Sequence, residues 1–251
     1  MASLPFYLSY PIWQTVSAKL NWSHFILLIG ISDESTRIFY EKQSINENWS
    51  IRELERQINS SLYERLALSR NKKEVLRLPT KSKQSSAPSE LIKDPYVLDF
   101  LRIPQSNKVT EKQLEQKIID NLQLFLLELG KGFAFIGRQY KISFRNKHFY
   151  IDLVFYHRIL KCFILIDLKT KAVRHNDIGQ MNLYLNFFKS EENTEGDNEP
   201  MGIILSADKD EVLVEYATGG ISNKIFVSKY QLYLPNKKQL EKQVKSIMEE
   251  V

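Results

Sequence analysis

The sequence predicts an α/β fold preceded by a helical region. Helix-type periodicity dominates the first 78 residues, and a polar stretch that is short of apolar residues follows. From residue 94 onward, helix-type and strand-type segments alternate in the order helix, three strands, helix, strand. We therefore predict three regions: a helical domain over 1–78, a linker over 79–93, and an α/β domain with a helical C-terminus over 94–251.

The composition is that of an ordinary globular protein. The chain has 251 residues and a formal net charge of +5, and no apolar run is long enough to cross a membrane. Residues 1–5 lack the basic and apolar regions of a secretory signal, so we expect a cytoplasmic location. Cys162 is the only cysteine, which excludes an internal disulfide and a cysteine-based zinc site. The mild positive charge favours a polyanionic partner.

Three helices are predicted in the N-terminal region. The first lies within the apolar stretch 17–29, and the second opens at Asp33 and runs to about Gln43. The third and longest has Ser50 as its N-cap, with Glu53 completing a capping box. Its apolar residues recur at helical spacing, which predicts one continuous helix. They are Leu54, Ile58, Leu62 and Leu66.

The α/β region has a readable series of elements. A strong helix is predicted from Thr110 to Leu129, ending at Gly130. One long or bulged strand follows, then a turn at Asn146 and two more strands. The remaining predictions are a helix over 178–188, an acidic loop over 190–200, strands over 201–205, 212–216 and 225–227, and a charged helix from about Lys238.

Two adjacent strands carry ionisable residues where apolar ones are expected. At the strand period of two, Asp167 and Lys169 share a face. A hairpin loop of even length, centred between Ile159 and Leu160, would place Asp152 opposite Asp167, with β-carbons about 5 Å apart. Two carboxylates that close repel each other unless a cation lies between them. The pattern therefore predicts a divalent metal site.

This element order and the Asp…Asp-x-Lys pattern resemble the PD-(D/E)xK nuclease superfamily, and in particular its YhcG-like (DUF1016) branch. The similarity covers roughly 94–234, and the region 22–58 is similar to the rear part of that family's helical N-terminal domain, so we expect a partial domain there. The resemblance implies a restriction-endonuclease-like αβββαβ core with a mixed central sheet. The matching segments are Leu126–Phe135, Gly137–Tyr140, Tyr150–Arg158, Gly179–Leu185 and Val214–Ala217.

The resemblance implies roles for the ionisable residues of the two strands. Asp152 and Asp167 match the metal-ligating acidic residues, with the Leu168 carbonyl as a further ligand. Lys169 matches the catalytic lysine, which orients or activates the attacking water. Mg²⁺ is the expected cation, with Mn²⁺ as a substitute, because oxygen ligands suit these hard ions.

Further site residues follow from the same resemblance. Glu115 leads the apolar stripe of the first core helix and is the candidate for that helix's acidic ligand, with Glu111 as its rival. Gln180 and Tyr184 reproduce a Gln-x-x-x-Tyr pattern that borders the active site in several branches. Basic residues that flank the motif suit DNA phosphates. They are Arg138, Arg158, Lys171 and Arg174.

The implied function is metal-dependent hydrolysis of DNA, by a protein that forms a homodimer. One residue departs from the family pattern, because Asp167 stands where the family usually has glutamate. Aspartate is one methylene shorter, and a small misplacement of a ligand can lower the rate greatly. A catalytically weak or inactive DNA-binding or assembly module with the same fold is therefore the alternative.

Overall fold

The computed structural model describes residues 20–67, 96–103 and 109–233. These residues fall into two compact units, one containing 20–67 and the other containing 96–233. The predicted linker over 79–93 and the predicted helix from about Lys238 lie outside the described residues, and the domain boundaries stay predictions. In the described part of the chain, no helix is both long and apolar enough to cross a bilayer.

The first unit is helical, as predicted. A polar side chain begins each of its first three helices: Asn21, Asp33 and Ser50 each accept a hydrogen bond from a backbone N–H in the first turn. The apolar faces of the helices pack into one core around Leu28 and Leu54. The helices are α1 (Trp22–Ile29), α2 (Glu34–Glu47), α3 (Ile51–Asn59) and α4 (Leu62–Ala67).

The prediction of one continuous helix after Ser50 is wrong, because the chain breaks between α3 and α4. Ser61 adopts a left-handed backbone conformation, with φ of 51°. The Tyr40 hydroxyl lies at the break, where it donates a hydrogen bond to the Gln57 carbonyl (3.1 Å) and accepts one from the Tyr63 N–H (3.2 Å). A side chain from another helix therefore satisfies backbone groups that a continuous helix would pair internally.

The second unit is built on a mixed sheet, which confirms the predicted fold class. Among the described residues the sheet has six strands in the order β1-β6-β5-β4-β3-β2. Strands β2, β3 and β4 are antiparallel, whereas β4, β5, β6 and β1 are parallel. The elements are β1 (Tyr96–Val97), α5 (Glu111–Asp120), α6 (Leu122–Leu129), β2 (Phe133–Phe144), β3 (Lys147–His157), β4 (Cys162–Ala172), α7 (His175–Phe187), β5 (Met201–Asp208), α8 (Glu211–Thr218) and β6 (Lys224–Gln231).

Helices cover both faces of this sheet. Helices α5 and α6 pack on one face, where Leu153 and Ile166 belong to the core, and α7 packs on the other, with Val154 and Leu165. Neighbouring residues of β3 and β4 thus enter opposite cores, because side chains alternate along a strand. This alternation decides which face of the sheet receives the charged residues of β4.

The helix predicted over 110–129 is interrupted at Asn121. The backbone of Asn121 leaves the helical conformation (φ −122°, ψ 32°), and its Nδ2 donates a hydrogen bond to the Lys117 carbonyl (3.0 Å). Asparagine competes for backbone hydrogen bonds in this way, and so it often ends helices. The end at Gly130 and the capping residue Thr110 agree with the prediction.

The strand predicted over 212–216 is wrong, because these residues form helix α8. The Asp210 side chain accepts hydrogen bonds from the N–H groups of Val212 (3.0 Å) and Leu213 (3.1 Å), which starts a helix. The apolar content that predicted a strand is not buried: Val212 is 62% exposed and Tyr216 is 83% exposed. Local capping therefore decides the conformation of this segment.

Two glycine substitutions test how α7 packs on the sheet. A β-carbon on Gly202 of β5 would lie 2.5 Å from Cγ of Met181, so we expect Gly202→Ala to lower the free energy of unfolding by about 1–3 kcal/mol. Gly179, in α7, has nothing within 4 Å of the same position. Gly179→Ala should raise that free energy by up to about 1 kcal/mol, because alanine favours helix. Urea denaturation measures both, and equal effects would contradict this packing.

Candidate metal-binding active site

Strands β3 and β4 separate where the two motif aspartates lie. The strands pair from His157 and Cys162, across a loop of four residues, as far as Leu153 and Ile166. The next pair in this register would be Asp152 and Asp167. Beyond that point β3 continues beside β2, and β4 continues beside β5. The predicted hairpin register is confirmed, and we call the place where the strands separate the fork.

Asp167 and Lys169 form an ion pair on β4. The two residues lie on the α7 side of the sheet, the side to which Phe163 and Leu165 also point, as the strand period predicts. Asp167 is only 4% exposed, and its Oδ2 lies 2.7 Å from the Lys169 Nζ. This oxygen makes no hydrogen bond of good geometry within the described residues. Charge attraction to Lys169 therefore offsets part of the cost of burying it.

Burial controls the ionisation of this pair. Burial raises the pKa of Asp167 to about 7, although the positive charge of Lys169 opposes the shift and Asp152 adds to it. For Lys169, burial acts to lower the pKa, but the charge of Asp167 outweighs it and the pKa is raised. Burial also raises the pKa of Asp152. The fork therefore holds more acidic groups than its lysine can neutralise.

Asp152 accepts hydrogen bonds with both carboxylate oxygens. Its Oδ2 accepts from the Leu168 N–H on β4 (2.7 Å), and its Oδ1 accepts from Nε2 of Gln139 on β2 (3.1 Å). The N–H and C=O groups of one strand residue point to the same side of the strand. The Leu168 carbonyl, a predicted ligand, therefore faces the side on which β3 has moved away.

Gln139 joins Asp152 to Glu115. The same Nε2 atom donates to Oε2 of Glu115 on α5 (2.6 Å), so one amide group bridges a carboxylate of the sheet and one of the helix. Glu115 is 6% exposed, and burial raises its pKa. Gln139 has a left-handed backbone (φ 46°), and the β2–β3 register shifts nearby, between Phe135 and Gly137. Such strain in a non-glycine residue is typical of functional sites.

The sequence alone predicts no role for Gln139. Neither its residue type nor its spacing distinguishes it from other polar residues of β2. Its role depends on α5 and β3, which meet only in the folded chain.

The rival acidic residue, Glu111, lies at a different point of the site. Its Oε1 accepts a hydrogen bond from the Thr170 N–H at the far end of β4 (3.3 Å). Glu111 and Glu115 are four residues apart on α5 and so share one face of that helix. The structure connects Glu115 to Asp152 through Gln139, and places Glu111 beside the continuation of β4.

Gln180 and Tyr184 are brought together beside the fork. Gln180 Nε2 donates a hydrogen bond to the hydroxyl of Tyr184, which in turn donates to the Tyr150 carbonyl of β3 (3.3 Å). Tyr184 is fully buried. The pair therefore attaches α7 to β3 at a point two residues before Asp152.

The four predicted DNA-binding residues lie at different distances from the fork. Arg138 adjoins the bridging glutamine on β2, Lys171 lies near the end of β4, and Arg174 directly precedes α7. Arg158 lies instead in the β3–β4 turn, six residues from Asp152. At about 3.3 Å per residue this is about 20 Å along the strand. The structure therefore does not bring Arg158 to the fork.

The donor atoms at the fork suit a divalent cation. Carboxylate and carbonyl oxygens are the ligands that Mg²⁺ prefers, and Oδ2 of Asp167 is a buried oxygen without a hydrogen bond of good geometry. No three His, Cys, Asp or Glu side chains in residues 20–67, 96–103 and 109–233 already form a metal-binding group. In this structure Lys169 and Gln139 instead occupy oxygens of the acidic residues.

A mixed sheet covered by helices, with an Asp…Asp-x-Lys fork, defines a nuclease domain of the PD-(D/E)xK class. Residues 89–245 match the family described as YhcG PDDEXK nuclease domain, and residues 2–65 match the DUF1016 N-terminal domain. The chain belongs to this family. It is 38% identical over 232 residues to the Escherichia coli (strain K12) protein named "Putative nuclease YhcG", a match that covers 91% of this chain and 61% of that protein.

Two solved structures are among those that the chain matches. One is a repair endonuclease from Pyrococcus abyssi, with a TM-score of 0.33 and 16% identity over 53% of this chain and 50% of that chain. The other is EndoMS in a complex with double-stranded DNA, with a TM-score of 0.35 and 10% identity over 54% of this chain and 51% of that chain.

The pH dependence of stability tests the burial of Asp167. In the folded protein its pKa is raised from 3.8 to about 7, so the folded state holds this proton more tightly than the unfolded chain does. The free energy of unfolding should therefore fall as the pH rises from about 4 to about 7, by at most about 1.4 kcal/mol per pH unit for this group. Urea denaturation of the metal-free protein at a series of pH values measures this slope.

Asp167→Asn is the matched control for that slope. Lys169 keeps its charge throughout this pH range, so the loss of its partner should shift the whole stability curve by a constant amount. The variant's stability should then fall less steeply with pH than that of the parent. Parallel curves would show that Asp167 ionises normally in the folded state.

Proposed function

We propose that this chain is a metal-dependent nuclease that hydrolyses DNA phosphodiester bonds. The observation that carries the proposal is the fork, where Asp152, Asp167 and Lys169 meet at the point where two paired strands separate. Membership of the nuclease family supports it. Because the chain spans 61% of its curated relative, the activity of the whole protein is part of the proposal.

The proposed cation is Mg²⁺, with Mn²⁺ as a substitute. The carboxylates of Asp152 and Asp167 and the Leu168 carbonyl would hold it, and Glu115 would be a further ligand, oriented by the amide of Gln139. When bound, such a cation polarises the scissile phosphate and lowers the pKa of its bound water. The acidic excess of the fork favours this binding, since a cation would stabilise the ionised aspartates.

Lys169 is the proposed catalytic lysine, whose positive charge acts in addition to that of the metal ion. Its ammonium group is a compact charge with three donors, and the ion pair with Asp167 holds it at the fork. From there it would donate a hydrogen bond to the attacking water or to a phosphate oxygen, which stabilises the charge that develops during hydrolysis. Gln180 and Tyr184 would assist by fixing β3 beside the site.

A second candidate is a nuclease-fold module that binds DNA or assembles with partners but cleaves weakly or not at all. The length and contacts of Asp167 favour it. This residue is shorter than the usual glutamate of the family, and Lys169 already occupies one of its oxygens. A cation would have to compete with that ion pair.

We also propose a homodimer, by analogy with members of the nuclease superfamily that cut two strands with paired active sites. Light scattering coupled to gel filtration measures the mass of the assembly. A mass twice the 29.5 kDa of one chain is the expected result.

Replacing Lys169 tests the nuclease directly. The parent should cleave linear, circular or branched DNA with Mg²⁺ or Mn²⁺, and Lys169→Ala should lower the rate by about a hundredfold or more while DNA binding is retained. Lys189→Ala is the matched control, because Lys189 pairs with Glu199 on the exposed surface. The control should cleave like the parent.

Asp167→Glu separates the two candidate functions. If the parent binds DNA without cutting it and Asp167→Glu cuts, the shorter acid explains the inactivity, and the module describes this chain. Absence of cleavage and of DNA binding in both proteins would rule out both functions.

Replacing Gln139 tests whether it positions the acidic residues for a cation. Gln139→Met keeps the side-chain length but removes the amide donors, so Mn²⁺ should bind about 10- to 100-fold more weakly, as is typical when a partner of metal ligands is lost. Gln139→Gly also removes the amide, but it relieves the backbone strain, because glycine tolerates the positive φ. Comparing the two variants separates the loss of the amide from the effect of the backbone. Isothermal titration calorimetry measures the affinity.

The control is Gln116→Met, which removes a glutamine of α5 that bonds to Arg138 and Asp120. It should bind Mn²⁺ like the parent. Equal affinities for the Gln139 and Gln116 variants would show that the bridge has no role in metal binding.

A further inference from the structure

The β2–β3 hairpin and the turn before it carry an excess of positive charge. Between Glu128 and Asp152 the sequence contains five Lys or Arg residues and no Asp or Glu, whereas the whole chain has a formal net charge of +5. Lysine and arginine that neutralise phosphates supply most of the nonspecific affinity for nucleic acids. The hairpin is therefore a candidate surface for binding a polyanion.

In the outer part of the β2–β3 hairpin, one face packs into the core and the other face is exposed to solvent. Ile142 and Phe149 are paired across the strands and pack into the core beneath α7. Their neighbours point to the opposite side, since side chains alternate along a strand. This hairpin face consists of two directly opposed pairs, in which every side chain is exposed. They are Lys141 with Tyr150, and Ser143 with His148.

Tyr150 gives this face an exposed aromatic ring on a fixed backbone. The residue is 49% exposed, and its carbonyl accepts the hydrogen bond from the buried Tyr184 hydroxyl (3.3 Å). Lys141 lies directly across from it. A ring beside a cation is the combination with which proteins bind single strands, because bases stack on the ring while phosphates meet the charge.

The position of the ring connects it to the fork. Tyr150 precedes Asp152 by two residues on β3, which is about 7 Å along the strand. Bases inside a duplex are already stacked on one another, so only an unpaired base can offer its face to Tyr150. The hairpin face is opposite α7, on the side of the sheet from which Glu115 of α5 approaches the fork, whereas Asp167 and Lys169 lie on the α7 side. We propose that the hairpin face binds a single-stranded stretch of DNA beside the fork. The inference rests on the proposed nuclease function and names the form of its substrate.

Binding without metal tests this surface separately from cleavage. Fluorescence anisotropy of the full chain in EDTA, with a labelled single-stranded oligonucleotide and its duplex, measures both affinities. Tyr150→Ala should weaken single-strand binding about tenfold or more, and Tyr150→Phe should restore it, because the ring carries the stacking. Tyr216→Ala removes an exposed tyrosine of α8 and should bind like the parent.

The salt dependence tests the phosphate contact. Lys141→Gln should lower the slope of log Kd against log salt by about 0.7, the value for one phosphate contact on a single strand. Lys147→Gln makes the same change of charge on the other face, where Lys147 is paired with the partly buried Phe144. It should leave the slope closer to that of the parent.

Three results would overturn the inference: unchanged single-strand binding by Tyr150→Ala, equal losses for Tyr150→Phe and Tyr150→Ala, or equal slopes for the two lysine variants. Thermal unfolding of each variant identifies any that fail to fold. The binding experiment does not depend on cleavage. If the chain binds single strands through Tyr150 but never cuts DNA, only the nuclease proposal is contradicted. If the chain cuts DNA but its affinity for single strands does not depend on Tyr150, only this inference is contradicted.

Discussion

The separation of β3 from β4 is the constraint on which the site depends. A paired β-ribbon satisfies its own backbone groups, so strands that move apart must find other partners for theirs. Here the Asp152 side chain replaces part of the lost ladder by accepting the Leu168 N–H at 2.7 Å. The same replacement carries a carboxylate into the gap beside Asp167. The separation of the strands and the clustering of the acidic residues therefore have the same structural cause.

The surrounding elements hold this arrangement in place from three sides. On one face of the sheet, α5 supplies Glu115, which Gln139 ties to Asp152. On the other face, Tyr184 of α7 bonds to the backbone of β3. Between them Lys169 pairs with Asp167, the most deeply buried of the three acidic residues at the fork. The remaining acidic excess gives the fork its affinity for a further cation, and the basic hairpin beside it offers a place for the phosphates of a substrate.

The secondary-structure predictions that are wrong have a common cause. The breaks after Ser60 and at Asn121, and the helix at 211–218, are each decided by one or two polar hydrogen bonds. Hydrophobic periodicity does not detect such bonds, because it averages over a window of many residues. The fold class survives these errors, since it depends on the order and burial of the long strands.

By itself, the sequence determined the fold class, the register of the β3–β4 hairpin and the shared face of Asp167 and Lys169. These follow from period-two alternation and from the length of one loop, which are local properties. Only the tertiary structure decided that Gln139 bridges two acidic residues and that Tyr184 attaches α7 to the backbone of β3. Such facts depend on which distant segments meet and how strands diverge, and packing over long sequence separations leaves no periodic trace in the chain.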